Sequence, residues 1–153
     1  MATDARVSVG IDSALSARAL QALFAYAPWA RTRKEEDIRR MLAGSLLLVS
    51  ARRQGNLIGF GRAWGDGIYR AIIDDIVVLP EERKRGIGTA LIGCLIRELS
   101  HVEEVALSCR SEVAPFYERL GFERYTGLHL KKKVPQVAGP AAEVPSAAAR
   151  VPR

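Results

Sequence analysis

Along the first 44 residues apolar positions recur mainly at helical intervals, and from Ser45 onward they alternate or run together as they do in strands. The chain opens extended, since "RVSV", Arg6 to Val9, alternates and predicts a short first strand. Asp12 or Ser13 can cap the helix that follows, which carries Leu15, Ala19, Leu23 and Tyr26 on one face and ends at Pro28. A second helix is predicted from Thr32. There "TRKE" has the form of a capping box, the Thr32 hydroxyl and the Glu35 carboxylate each meeting a free backbone N–H. Ile38, Met41 and Leu42 give this helix an apolar edge, and Gly44 stops it.

Beyond Ser45, "SLLLVSA" and "NLIGFGRAW" predict two strands joined by a hairpin turn at Gln54-Gly55. "GDG", Gly65 to Gly67, turns the chain into "IYRAIIDDIVVL", which at about twelve residues is twice the usual strand length and so predicts a bend or bulge. Ile87, Leu91, Leu95 and Ile96, with Cys94, mark a helix to about Leu99, and "EVALSC" is a fifth strand. "SEVAPFYERLGF" is a short helix with Ser111 as cap, Pro115 in its first turn and Gly121 closing it. "ERYTGLHLKK" supplies one or two last strands.

The order β-α-α-β-β-β-α-β-α-β predicts an α/β fold, a single mixed, mostly antiparallel sheet flanked by helices. The helix between the long strand and the fifth makes those two strands parallel through a right-handed crossover. Residues 134–153 hold four of the seven prolines and six alanines without periodicity, and are expected to form a disordered tail after a folded unit of residues 1–133.

Composition narrows the class. A chain of 153 residues, 48% apolar and 26% charged, fits one globular domain. No apolar run nears the roughly 20 residues of a membrane span. "MATDARVSVG" lacks the apolar core of a signal peptide, so a cytoplasmic protein with no membrane partner is expected. Cys94 and Cys109 make no disulfide framework and are both expected as buried thiols. His101 and His129 have no partners at ligand spacing, so no metal site is expected. The net charge of +6 favours anionic partners. Its basic residues fall in short groups rather than one stripe with interleaved aromatics, which argues against nucleic acid.

One stretch concentrates that charge where a strand hands over to a helix: "LPEERKRGIGTAL", Leu79 to Leu91. A helix starting near Gly86 has first-turn N–H groups without internal partners and partial positive charge at that end. Gly86 and Gly88 lack a Cβ, so a ligand can approach the backbone, and Arg83, Lys84 and Arg85 stand beside it. The combination suits a pyrophosphate. A P-loop is excluded because "GIGTAL" has no lysine, and a dinucleotide fingerprint because Leu91 stands where its third glycine belongs. On these residues alone, a tight turn beside solvated charges remains the alternative.

The wider pattern V-x-P-x-x-R-x-x-G-x-G-x-x-L is met by Val78, Pro80, Arg83, Gly86, Gly88 and Leu91. With "APFYERLGF", Ala114 to Phe122, it resembles the GCN5-related N-acetyltransferase (GNAT) family over about residues 6 to 131. "GFGRAWGDGIYRAIIDDIVVLP" is similar to that family's plastid and cyanobacterial branch, with Asp74 here where plant members tend to have tryptophan. The resemblance implies an N-acetyltransferase domain over residues 1–133. Its co-substrate would be acetyl-CoA, with no metal, and its long strand would be splayed from its parallel neighbour. Backbone groups of Ile76, Val77 and Val78 would hold the pantetheine arm, and a main-chain N–H near Ile76 would face the thioester oxygen. Arg83, Lys84, Arg85, Gly86, Ile87, Gly88 and Thr89 would hold the pyrophosphate.

Acetyl transfer to an amine needs a proton removed, an oxyanion stabilised and the leaving thiolate protonated. Tyr117 matches the family tyrosine that supplies the last proton. Asp74 and Asp75 would point to opposite faces of a regular strand, so at most one faces the cleft. Asp75 matches the branch's aspartate and is expected as the base through water; a structural carboxylate satisfied by backbone donors is the alternative. Ser108 is a further candidate to position such a water. An acyl-enzyme at Cys109 is set aside, because family chemistry is direct transfer. Trp29, in the loop Pro28 to Thr32, with Trp64 and Tyr69, either lines an aromatic-amine site or belongs to the core. The implied function is acetyl transfer to a primary amine, a small arylalkylamine or a protein lysine or N-terminal amine. The alternative is a non-catalytic acyl-CoA-binding regulatory module, against which Tyr117 argues. Homodimers are common among relatives, which leaves a homodimer open here.

Overall fold

The alternation that begins at Ser45 builds a single sheet. In the computed structural model, which describes residues 6–134, five strands lie side by side in chain order. They are β1 (Val7–Ile11), β2 (Leu47–Arg53), β3 (Asn56–Gly65), β4 (Arg70–Val78) and β5 (Glu104–Ala106). Helices α1 (Ala17–Phe24) and α2 (Glu35–Ala43) precede β2, α3 (Ile87–Glu98) joins β4 to β5, and α4 (Ala114–Glu118) follows. The first three pairings are antiparallel and β4–β5 is parallel, as the intervening helix requires. Between β2 and β3, Gln54 (φ 52°) and Gly55 (φ 80°) make the two-residue turn that positive φ at both positions allows.

Each face of the sheet carries its own core. Leu91, Ile92 and Leu95 of α3 pack on Val49, Ala51 and Ile73. On the other face Leu20, Phe24 and Ile38 cover Phe60 and Val77, with Phe24 and Phe60 edge to face at 5.9 Å. No helix among the described residues is long and apolar enough to cross a membrane.

The expected bulge is in β4. Phe60 pairs with Val77 and Arg62 with Asp74, so β4 spends one more residue than β3 over this interval. Asp75 takes φ 55° there, a left-handed conformation that aspartate tolerates better than most residues. The extra residue inverts the alternation. Ala71 and Ile73 belong to the α3 side, Ile76 and Val78 return to it, and Val77 faces α1.

Local signals misplaced three caps. Ser16, not Asp12 or Ser13, caps α1, its hydroxyl accepting from Ala19 N at 3.3 Å. Asp12 is engaged by Ser50 Oγ (2.7 Å) and Arg52 Nη2 (2.8 Å), which tie the end of β1 to β2. Tyr26, expected on the inner face, is exposed because the helix has ended before it. Thr32 caps nothing: α2 begins at Glu35 after Lys34, with no side-chain cap, and Glu35 pairs with Arg39 at 2.9 Å. Thr32 lies instead in turns continuing from α1, where Arg31 N reaches Ala27 O and Arg33 N reaches Ala30 O. Ser111 likewise gives no side-chain cap to α4, which starts after Val113. Gly121 (φ 92°) does close it, with Phe122 N donating back to Tyr117 O at 3.2 Å.

The last expected strands are absent. Residues 123–134 form no strand, and Tyr125, Leu128 and Leu130 are about nine-tenths exposed (89%, 90% and 87%). β5 pairs over only three residues, an edge too short to template another strand. The expected tail, from residue 135 on, lies outside the described residues, as do residues 1–5.

Leu95 is fully buried between α3 and the sheet. Leu95→Ala is expected to lower unfolding free energy by about 3 kcal/mol. Urea titration reads this as a lower midpoint at an unchanged slope; a loss below about 1 kcal/mol would mean that α3 is not seated as described.

Candidate active site

The parallel pairing of β4 and β5 runs from Arg70↔Glu104 to Ile72↔Ala106 and stops. β4 continues to Val78, held by β3 on its other side, while the chain after Ala106 leaves the ladder. The two strands therefore fork after Ile72, and the far half of β4 presents an edge without β5. The expected splay lies here. The side chains of Ile76, Val77 and Val78 pack into the cores, so only their main chain is available to a ligand in the fork.

At its C-terminal end β4 leads to the charged junction. Leu79 N donates to Ile58 O (2.9 Å), a short 3-10 turn spans Pro80–Glu82, and the loop then enters α3. Of the five consecutive charges Glu81 to Arg85, Glu82 is turned inward. Arg53 of β2 grips it twice, Nε to Oε1 and Nη2 to Oε2, both at 3.0 Å. Hydrogen bonds from Arg53 outweigh the opposing effect of burial and hold the Glu82 carboxyl below its usual range. Arg83, Lys84 and Arg85 are exposed, and Arg83 Nε donates to Val78 O (3.2 Å).

The loop needs left-handed backbone at Lys84 (φ 60°) and Gly86 (φ 79°), the latter immediately before the helix. No side chain caps α3. Its first turn bond is Ala90 N to Gly86 O, so the N–H groups of Ile87, Gly88 and Thr89 precede the helical ladder. Ile87 contributes only its N–H, since its side chain is core. A Cβ on Gly88 would stand 3.5 Å from Phe116 Cζ, so α4 sits against the first turn of α3. The cradle and the Tyr117 helix are thus neighbours.

Tyr117 is half-buried, its ring edge to face with Phe116 (4.9 Å) and Phe122 (5.9 Å). Burial, then the nearby charges of Cys109 and Asp74, raise its phenol above the ordinary value of 10.0, so it stays protonated at neutral pH. Ser108 and Cys109 are exposed where the chain leaves β5. For Cys109 this corrects the expectation of a buried thiol: β5 ends at Ala106, so Cys109 never enters the sheet, whereas Cys94 is buried in α3.

The two aspartates do not separate to opposite faces, because the bulge turns both toward Arg62 of β3. Asp75 Oδ2 receives Arg62 Nε at 2.8 Å and Arg33 Nη1 at 2.9 Å, and its side chain is wholly buried. Backbone donors do not satisfy it; two guanidiniums do. Burial alone would push the Asp75 carboxyl up, but the hydrogen bonds and charges of Arg33 and Arg62 win and hold it below the usual range. A carboxylate so enclosed is a poor proton acceptor for an incoming amine. Asp74 is different. Its side chain is 48% exposed, Oδ1 accepts from Asp75 N (2.9 Å), and Oδ2 lies 3.4 Å from Trp64 Nε1 and 3.6 Å from Arg62 Nη2.

Sequence reading missed Arg33 and Arg62. Arg62 had left a signal, as the one charge inside an otherwise apolar strand facing another strand that carries two carboxylates. Arg33 had left none, being one of several cations in its stretch.

Trp29 (57%), Trp64 (42%) and Tyr69 (61%) are exposed, which removes the core alternative for all three. Trp64 lines a cavity of about 430 Å³ with Arg62 of β3 and Asp37, Arg40, Met41 and Gly44 from α2 and its end. Trp29 and Tyr69 do not line it.

A mixed sheet with a forked parallel pair, an uncapped helix beside a basic loop and a tyrosine nearby together make the site. Residues 15–122 match the model of the acetyltransferase (GNAT) family. The chain belongs to that family. It is 34% identical over 123 residues to the chloroplastic serotonin N-acetyltransferase 2 of Oryza sativa subsp. japonica, covering 76% of this chain and 59% of that one. It is 38% identical over 80 residues to the chloroplastic GCN5-related N-acetyltransferase 1 of Arabidopsis thaliana, covering 51% and 41%. The chain thus spans about half the length of these relatives, and the likeness to the plastid branch holds. Among solved structures, an acetyltransferase of Deinococcus radiodurans R1 superimposes with a TM-score of 0.71 at 30% identity, over 82% of this chain and 88% of that one. An aminoglycoside N-acetyltransferase in complex with CoA shares the fold at TM-score 0.70 and 20% identity, over 87% and 98%.

Because Asp75 titrates lower folded than its ordinary 3.8, its ion pairs stabilise the fold fully above that value and are lost as pH falls below it. Asp75→Asn, which removes the buried charge that both guanidiniums bind, is expected to cost about 3 kcal/mol at pH 7. Urea midpoints between pH 7 and pH 3 check this: the gap from the parent should narrow below pH 4, and a constant gap would deny Asp75 its charge.

Proposed function

We propose that this protein transfers the acetyl group of acetyl-CoA to a primary amine by direct attack. The observation that carries the proposal is the continuity of one strand: β4 leaves β5 after Ile72 and ends at the uncapped α3 cradle. A ligand with an anionic linker and an extended arm matches both parts at once. The N–H groups of Ile87, Gly88 and Thr89 and the charges of Arg83, Lys84 and Arg85 would hold the pyrophosphate. The free edge of β4 at Ile76 to Val78 would hold the arm. Acetyl-CoA, when bound, supplies an activated acetyl thioester.

Tyr117 then donates a proton to the sulfur that leaves, which its raised pKa and its position beside the cradle support. The acceptor would enter from the side of Trp64, whose exposed indole lines the 430 Å³ cavity. Relatives named for serotonin and histone acetylation support a primary amine, on a small aromatic molecule or a protein.

Isothermal titration of acetyl-CoA and detection of released thiol test this directly. Arg83→Glu is expected to weaken acetyl-CoA binding at least about tenfold, or 1.4 kcal/mol; unchanged affinity would remove the junction as the cradle. Tyr117→Phe should lower kcat about 100-fold while acetyl-CoA affinity stays within about twofold. Equal turnover would remove Tyr117 as the acid.

A further inference from the structure

The β4 bulge leaves two adjacent carboxylates in unlike settings. Asp75 is enclosed and saturated by two arginines, apart from one buried oxygen, Oδ1, that has no partner. Asp74 stands two residues past the last β4–β5 pair, Ile72↔Ala106, at the mouth of the fork. Across the fork, Ser108 stands two residues past Ala106 on the departing strand. Asp74 is half-exposed and fixed from behind by the Asp75 N–H and from the side by the Trp64 indole N–H. Its charge is also felt at the Tyr117 phenol.

We propose that Asp74 is the carboxylate that receives the acceptor's ammonium group at the mouth of the fork, a role that rests on the acetyltransferase function argued above. A primary amine arrives mostly protonated at neutral pH. Asp74 offers the positive nitrogen a charge-assisted hydrogen bond, with the exposed indole of Trp64 beside it as an apolar wall. One ammonium proton passes through water to solvent, the freed lone pair attacks the thioester carbon, and the nitrogen then gives up a second proton to solvent. The C–N bond forms, the C–S bond breaks, and the sulfur takes its proton from Tyr117, which is reprotonated from solvent. The sum is ammonium plus acetyl thioester giving amide, thiol and one released proton. Other charged and titratable groups that act on or with Asp74 are Arg62 from β3, Asp75 beside it and Tyr117 from α4, while Asp37 and Arg40 of α2 line the cavity next to its partners Arg62 and Trp64. Arg62 binds Asp75 closely through Nε at 2.8 Å and reaches Asp74 only through Nη2 at 3.6 Å, so the half-exposed Asp74 keeps a face open to a solvent-borne cation.

The experiment compares the full chain with Asp74→Asn and Asp74→Glu, using 2-phenylethylamine and Nα-acetyl-lysine amide as acceptors. Three quantities are measured: acetyl-CoA affinity, acceptor kcat/KM by thiol release, and acceptor binding by equilibrium dialysis, with 2-phenylethanol as the neutral control. Asp74→Asn is expected to lower acceptor kcat/KM about 100-fold, to abolish preference for the amine over the alcohol, and to leave acetyl-CoA affinity within twofold. Asp74→Glu should recover at least about tenfold of that loss, and the melting temperature of both should stay within about 3 °C of the parent. The proposal is overturned if Asp74→Asn keeps kcat/KM within about threefold, if acetyl-CoA affinity falls by the same factor as kcat/KM, or if the parent binds amine no better than alcohol. Failure of the parent to bind acetyl-CoA would sink the acetyltransferase function instead, and amine-over-alcohol binding would still decide the role of Asp74.

Discussion

Asp75 stands in a left-handed backbone conformation, on the extra residue of a bulge, with its carboxylate buried between Arg33 and Arg62. The backbone there is strained by about 1–3 kcal/mol for a non-glycine residue, and burying the charge costs several more unless it is paired. Two guanidiniums at hydrogen-bond distance offset both, so the bulge and the ion cluster exist together or not at all. Arg33 comes from the loop between α1 and α2, lies with its Cζ 5.1 Å from the Phe24 ring centroid, and sends Nη1 to Met41 Sδ at 3.6 Å. One charge cluster thereby locks the helical layer to the sheet at the point where the sheet opens.

The geometry downstream follows from the residue added there. Without it, Ile73, Asp75 and Val77 would share one face, which would set a carboxylate among the α3 side chains. With it, Ile76 and Val78 take that face, and Ile76 settles against bare backbone at Gly61, where a Cβ would meet Ile76 Cδ1 at 2.5 Å. The same inversion brings Asp74 and Asp75 to Arg62 together. Fixing one carboxylate behind the other is how a strand of alternating faces can present a stationary charge to a cleft.

Much of the fold was legible because its signals are local. Twelve extended residues in a row implied the bulge, Gln54-Gly55 implied the hairpin, and the glycines around Ile87 implied the uncapped helix entry. What was illegible depends on residues far apart in the chain. Arg33 and Asp75 come from different layers and lie far apart in the chain, and Arg53 reaches Glu82 across the sheet, so neither pairing leaves a periodic trace. The caps failed for a related reason: Asp12 looks like a helix cap until Ser50 and Arg52 claim it. Alternation also overstated the sheet. "YTGLHL" has the pattern of a strand, but a pattern becomes a strand only when an edge of sufficient length lies beside it, and β5 offers three residues.

The Glu82–Arg53 pair extends the same logic to the other end of β4. Three exposed cations in a short loop repel one another, and a loop carrying them alone would spread into solvent. Turning the preceding acid inward and gripping it from β2 fixes where the loop starts, while Arg85 Nη1, 3.6 Å from Glu82 Oε2, leans back toward that anchor. Between these two anchors β4 is held at both its bulge and its exit, and held by partners on the β3 side and below. The edge facing β5 is the one that nothing holds. A strand pinned on three sides and free on the fourth keeps its unpaired backbone groups aligned without closing them. That is the condition an extended ligand arm needs in order to pair with them, and it explains why the charge clusters, rather than further strand pairing, carry the rigidity of this site.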